Sequence, residues 1–371
     1  MKIGILTLQL GHNYGGILQN WALQQVLSGL GHKPVTIQYS GASRTQKLLA
    51  DARCVAAWSV KQLIRHRTRN IYILPWQDRE NRRLKRFVSK EIKSTSFICD
   101  LNEAAVTRLH LDVIIVGSDQ TWRPLYSKIH FPKMFCCFLP ASSVVPRVSY
   151  AASFGVDNWE FNNSQTKMAK EGLAGFKAIS VRESSGVDLC KRYLDAEAVH
   201  VLDPTLLIGP DTYARLTVKE RGKIPGGRVG VYILDDSEEK RKIVERVCNA
   251  LGKKAVWFGR VDEKGIRPSI GNWLSSFDRS DFIVTDSFHG TVFAINYQTP
   301  FLTILNNERG KSRFTSLLDK FGLADRAITT SDIQQTGPII RRKIDWNRIG
   351  EILDRERMKS LKFLTDNLNG Q

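Results

Sequence analysis

With 371 residues, the chain exceeds what one ordinary hydrophobic core organises, so two domains are expected. Its net charge of +18 points to anionic partners: nucleic acid, acidic lipid or a phosphorylated substrate. No apolar run approaches the roughly 18 residues of a membrane span. The six cysteines form no CxxC pair and have no histidine at zinc-ligand spacing, which argues for free, mostly buried thiols.

Met1–Leu8 lacks a signal peptide's apolar region, so a cytoplasmic location is expected. Lys2–Leu8 alternates like a strand, Gly11, Gly15 and Gly16 make a loop, and Ile17–Leu30 has helical spacing. Val35–Tyr39 follows as a strand, completing a βαβ opening. Between Arg44 and Lys93 stand 14 basic and four acidic residues. Apolar stripes through this stretch predict a helical insertion over about 44–95. Its charge is either a solvated face or, with Trp58, Ile71, Tyr72, Ile73 and Trp76 interleaved, a membrane-surface patch. No recognition motif for nucleic acid accompanies it.

Strands are then expected at Leu111–Val116, Val148–Ala152, Ala178–Val181 and Ala198–Leu202, with a helix at Trp159–Phe176. The pattern restarts after the Gly/Pro-rich Gly222–Gly227. Strands are expected at Val229–Leu234, Ala255–Phe258, Asp281–Thr285 and Phe301–Leu305, and helices at Glu238–Leu251, Thr291–Tyr297 and Trp346–Leu368. This alternation predicts an α/β chain with two Rossmann-like domains of parallel sheet facing a cleft, the GT-B architecture. The expected divisions are 1–205, 206–345, and a C-terminal helix in 346–371 that packs back across both domains.

In open parallel sheets, ligands bind beyond the carboxyl ends of the strands. Five polar clusters fall there: Gly117–Gln120, Ser153–Gly155, Arg182–Gly186, Asp203-Pro204 and Asp286–Gly290. His289 stands where a helix start offers free N–H groups to an anion, and its imidazole can move a proton near neutral pH. As a bland alternative, Asp286 or Ser287 caps the helix and His289 is a junction residue. Arg182 either grips a carboxylate or phosphate, or pairs with Glu183 or Asp203. Asp119 is a candidate base for a hydroxyl and Trp122 a stacking face for a sugar, against an Asx-turn and a core aromatic. The loop with Asn13 and Tyr14 is a candidate substrate contact. It is not G-x-G-x-x-G, and neither a P-loop nor a G-x-S-x-G elbow occurs.

"NYGGILQNWAL" (Asn13–Leu23), "VGSDQTW" (Val116–Trp122), "SYAASFG" (Ser149–Gly155), "SVRESSG" (Ser180–Gly186), "VLDPTLL" (Val201–Leu207) and "TDSFHGTVFAI" (Thr285–Ile295) together resemble the polysaccharide pyruvyl transferase family. The resemblance covers about residues 1–320. It implies transfer of a pyruvyl group from phosphoenolpyruvate onto two hydroxyls of a sugar, or of a lipid-linked oligosaccharide, in a surface-polysaccharide precursor. The product is a cyclic pyruvate ketal, with phosphate released and neither metal nor cofactor required. His289 matches the family's active-site histidine and Arg182 an arginine that binds phosphoenolpyruvate, with Phe288 and Gly290 in the same donor-binding block. The residue two before the histidine is Arg in some members and is Ser287 here. Arg309, Lys311 and Arg313 are candidates to replace that cation, with Arg313 preferred. Asp119 as a catalytic group, and Asn13, Tyr14 and Trp122, would face the acceptor. Peripheral contact with an anionic membrane and no contact with nucleic acid are expected. The rivals are a nucleotide-sugar glycosyltransferase and a non-catalytic binding protein on the same fold.

Overall fold

The computed structural model describes residues 1–39, 79–305 and 310–368. Most of the basic stretch expected as an insertion over 44–95, and Arg309, lie outside the described residues. The first sheet is entirely parallel. Strand β1 (Lys2–Leu6) is followed by helix α1 (Tyr14–Gly29), strand β2 (Lys33–Thr36) and, within the described part of the basic stretch, helix α2 (Arg82–Glu91). Strands β3 (Val113–Asp119), β4 (Arg147–Ala152), β5 (Phe176–Ala178) and β6 (Ser180–Val181), helix α3 (Ser184–Leu194) and strand β7 (Val199–His200) complete it. Its order is β2-β1-β3-β4-β6-β7, with β5 also on β4. Residues Ile3–Leu6 and Val113–Ser118 are buried on both faces, as central strands covered by helices must be.

The second sheet is also parallel, in the order β12-β11-β10-β8-β9. Here β8 (Val229–Tyr232) leads to α4 (Glu238–Leu251), β9 (Ala255–Trp257), α5 (Ile270–Asp278), β10 (Phe282–Thr285) and α6 (Phe288–Asn296). Strand β11 (Phe301–Ile304), α7 (Lys311–Phe321), β12 (Ala327–Ile328) and the long α8 (Trp346–Leu368) follow.

Helix starts differ from the sequence expectation where polar caps decide them. Helix α1 begins at Tyr14 rather than Ile17 because the Asn13 side chain accepts a hydrogen bond from Gly15 N at 2.9 Å. Helix α6 begins at Phe288 rather than Thr291 because the Ser287 hydroxyl accepts one from Gly290 N at 3.3 Å. The helix expected over Trp159–Phe176 starts only at Asn163, set by a capping box between Asn162 and Gln165.

The two sheets share an apolar cluster that runs through α1, α5, α6 and α8, including Trp21, Tyr213, Trp273, Phe293 and Phe363. Helix α8 touches both halves. Its Ser360 hydroxyl accepts from Leu202 N (3.0 Å), its Arg357 donates to Leu206 O (2.6 Å), and its Glu356 pairs with Lys320 of α7 (2.7 Å). Among the described residues no helix is long and apolar enough to cross a membrane.

Candidate active site

The carboxyl ends of β1, β3 and β10 face one another across a cavity of about 160 Å³. Its wall includes Asn13 and Gly16 of the first turn of α1, Asp119 at the end of β3, Ser287, Phe288 and His289 opening α6, and Arg313 of α7. Two helix N-termini therefore point into one space, each capped by a side-chain oxygen on its own sequence. Their partial positive charge adds to that of Arg313.

The imidazole of His289 is nearly buried, and its Nε2 lies 3.6 Å from Oδ2 of Asp203. That separation is beyond hydrogen-bond reach, and Nε2 has no hydrogen-bond partner. A Cβ placed on Gly15 would collide with Nδ1 of His289. Gly15 is what lets α1 pass directly over the ring.

Asp203 gathers the cluster. Its Oδ1 accepts from the N–H and hydroxyl of Thr205 (3.0 and 2.6 Å), and its Oδ2 from Arg182 (2.8 Å) and the Ser118 hydroxyl (3.3 Å). Burial alone would raise this carboxyl. His289, Arg182 and Thr205 override burial and hold it far below the usual carboxylate range. Burial likewise opposes the charge of Asp119, and Arg182, His289 and Arg313 outweigh it, so Asp119 titrates below its ordinary value. Asp119 also accepts from Gln120 N at 2.9 Å and lies 3.4 Å from Arg182.

Arg182 stands one layer behind the cavity wall, its side chain 1% exposed and shared between Asp203 and Asp119. Its guanidinium carbon lies 4.6 Å from the centre of the Phe288 ring, and that of Arg313 lies 5.2 Å from the same ring. Phe288 thus joins a supporting cation to a cavity-facing one. Burial, and then the neighbouring charge of Arg182, push the Arg313 guanidinium down to about 10. A cation desolvated beside another cation, facing a cavity, is suited to an anionic ligand.

Two residues expected on the acceptor side stand elsewhere. Trp122 is fully buried. Its ring stacks on Phe135 at 5.1 Å and its Nε1 donates to Met134 O at 2.9 Å. The chain doubles back after Asp119 and folds the indole beneath the turn, so it offers no face to a sugar. Tyr14 is also buried. It stacks on Trp273 at 5.2 Å and 7°, and its hydroxyl donates to Pro268 O at 2.9 Å, tying the two halves together. Gly290 is structural too, since a Cβ there would strike the Thr285 hydroxyl.

Asp203, Asp286 and Gly15 were noted in the sequence only as cluster, cap or loop residues, and Gln19 and Tyr126 were not singled out at all. Asp286, on the cavity wall, accepts from Leu234 N (2.7 Å), Asp235 N (3.1 Å) and Lys240 (2.7 Å). It fixes the floor as a fully buried ion pair. Asp203 and Asp286 carried a signal, an aspartate at a strand's carboxyl end. Gln19, which accepts from Ser118 N and donates to Thr7, carried none, because mid-helix glutamine is ordinary surface composition.

The model of the family described as "Polysaccharide pyruvyl transferase" matches residues 13–308, a span that contains every cavity residue named above except Thr7 and Arg313. No curated protein sequence matches the chain. Among solved structures, the UDP-GlcNAc 2-epimerase of Methanocaldococcus jannaschii superposes with a TM-score of 0.57 at 9% identity, covering 98% of this chain and 99% of that one. The UDP-GlcNAc 2-epimerase of Neisseria meningitidis gives 0.54 at 8% identity, with 99% of each chain covered. Arabidopsis thaliana UGT89C1 gives 0.51 at 11% identity, with 98% of each covered. At such identities these likenesses show the fold alone, GT-B. The family match covers most of the chain, and the chain belongs to the polysaccharide pyruvyl transferase family.

Proposed function

We propose that the cavity binds phosphoenolpyruvate and transfers its pyruvyl group onto two hydroxyls of a sugar in a surface-polysaccharide precursor. One observation carries the reading: two capped helix N-termini, Arg313 and His289 converge on one small cavity. A phosphate and a carboxylate on three carbons need several donors aimed from more than one side. Arg313 takes the place of the arginine that Ser287 lacks, while Ser287 contributes the capped α6 terminus. Arg182 fixes Asp119 and Phe288 from behind.

In the first step a sugar hydroxyl adds to C2 of the enol while C3 gains a proton. His289 delivers that proton, and the added hydroxyl's own proton returns to the enzyme. A second hydroxyl then adds to C2 as the bond to phosphate breaks, and its proton leaves with phosphate. Asp119, held ionised, accepts a hydrogen bond from the incoming hydroxyl and orients it. No metal or further cofactor enters this balance. The acceptor is a sugar or lipid-linked oligosaccharide, and the protein works against the inner membrane face, with the basic stretch over 44–95 toward anionic lipid.

Purified protein incubated with phosphoenolpyruvate and a panel of nucleotide- and polyprenyl-linked sugars should release phosphate only with an acceptor present. His289→Ala should abolish release with unchanged circular dichroism. Full activity in His289→Ala would remove the histidine from the mechanism. Turnover of a UDP-sugar without phosphoenolpyruvate would favour a glycosyltransferase.

A further inference from the structure

Shortly after Asp119 the chain makes three successive short helical turns, Pro124–Ser127, Lys128–His130 and Phe131–Met134. Three large apolar side chains stand out of it: Leu125 at 54% exposure, Ile129 at 66% and Tyr126 at 36%. Three such residues within five positions form a patch, unlike single exposed hydrophobics, which need no explanation. Residues 124–134 contain Lys128, His130 and Lys133 and no acidic residue. The patch is also rigidly mounted. Phe131 and Met134 are buried, Trp122 donates to Met134 O, and Arg123 holds Glu160 through two bonds of 3.0 Å each. Tyr126 belongs both to the patch and to the cavity wall.

We infer that this turn is a membrane-docking tip. Leu125 and Ile129 enter the headgroup–acyl boundary of an anionic bilayer, and Lys128 meets its lipid phosphates. Lys133 pairs with Asp100 at 4.0 Å, so the exposed cation is Lys128, and an apolar tip carrying it with no acid in its own segment matches that surface in both polarity and charge. With Tyr126 on the rim, docking opens the cavity toward the bilayer, where a sugar on a lipid carrier presents its hydroxyls. This deepens the lipid-linked acceptor proposed above, but docking itself requires neither donor nor acceptor.

The test is sedimentation of the full chain with vesicles, either of phosphatidylcholine alone or of equal parts phosphatidylglycerol and phosphatidylcholine. Wild type should sediment with the mixed vesicles and not with the neutral ones. The double variant Leu125→Ser/Ile129→Ser should partition about tenfold or more less strongly, from loss of two apolar side chains. Lys128→Glu should lose about fivefold or more. All three positions are exposed, so circular dichroism should be unchanged. Wild-type partitioning by the double variant would overturn the inference and leave the basic stretch over 44–95 as the sole anchor. Absence of vesicle binding by wild type would also overturn it. So would a wild-type dimer in size-exclusion chromatography that the double variant converts to monomer, which would assign the patch to a second copy. Calorimetric binding of phosphoenolpyruvate by the wild type separates the two readings: wild-type vesicle binding that the double variant loses, without phosphoenolpyruvate binding, sinks only the transferase reading.

Discussion

At the scale of single residues, the site rests on close approach and on shared charge. Gly15 is the clearest case. Gly15→Ala keeps helical propensity, yet its methyl group would displace the His289 ring. Displacement of order 1 Å costs about 100-fold in rate, so kcat should fall by that much, and overpacking of the buried ring should cost about 1–3 kcal/mol of stability. Asp203→Asn should act differently. It leaves Arg182 buried with half its carboxylate partners, and breaking such a pair costs about 3–5 kcal/mol, readable in urea denaturation. His289 and Ser287 each had a bland role as a capped strand–helix join, which Ser287 also fills; they were legible as a site only because polar clusters recur at the other strand ends. Trp122 was not. A tryptophan after a loop reads the same whether it faces a sugar or a core, and only the doubling back of the chain decides it.

At the scale of elements, the strands and long helices followed from periodicity. Helix α4 and helix α8 occupy the spans that their patterning indicated. Helix starts were less legible, because Asn13, Asn162 and Ser287 extend or trim a helix through one side-chain bond that apolar spacing does not register. Those caps matter functionally, since α1 and α6 each gain a first turn that reaches the cavity. Helix α8 makes a separate prediction. Phe363 is buried against the shared cluster and near Tyr150 of β4. Phe363→Ala should therefore cost about 3–5 kcal/mol and lower the midpoint of a single transition, because the helix joins both sheets.

At the scale of the whole molecule, the halves are joined where the site is built. His200 sits at this junction, its Nε2 3.1 Å from Arg182 O and 3.4 Å from the Ser316 hydroxyl of α7. Burial, then the charge of Lys320, push its pKa down to about 4. The unfolded chain binds a proton here below about 6.5, and the folded chain does so only near 4. Stability should thus fall as pH drops through that window, by up to about 1.4 kcal/mol per unit from this residue. His200→Gln should flatten that slope in denaturation measured between those limits. An unchanged slope would place the acid sensitivity elsewhere.

The central claim is that the cleft, though built on the frame of the UDP-sugar enzymes it superposes on, takes an enolpyruvate donor. Isothermal titration of phosphoenolpyruvate and of UDP into wild type and Arg313→Ala tests it most directly. The account predicts saturable binding of phosphoenolpyruvate to wild type, weakened at least about tenfold in Arg313→Ala by loss of a charge-assisted contact, and no binding of UDP. Saturable binding of UDP with none of phosphoenolpyruvate would contradict it.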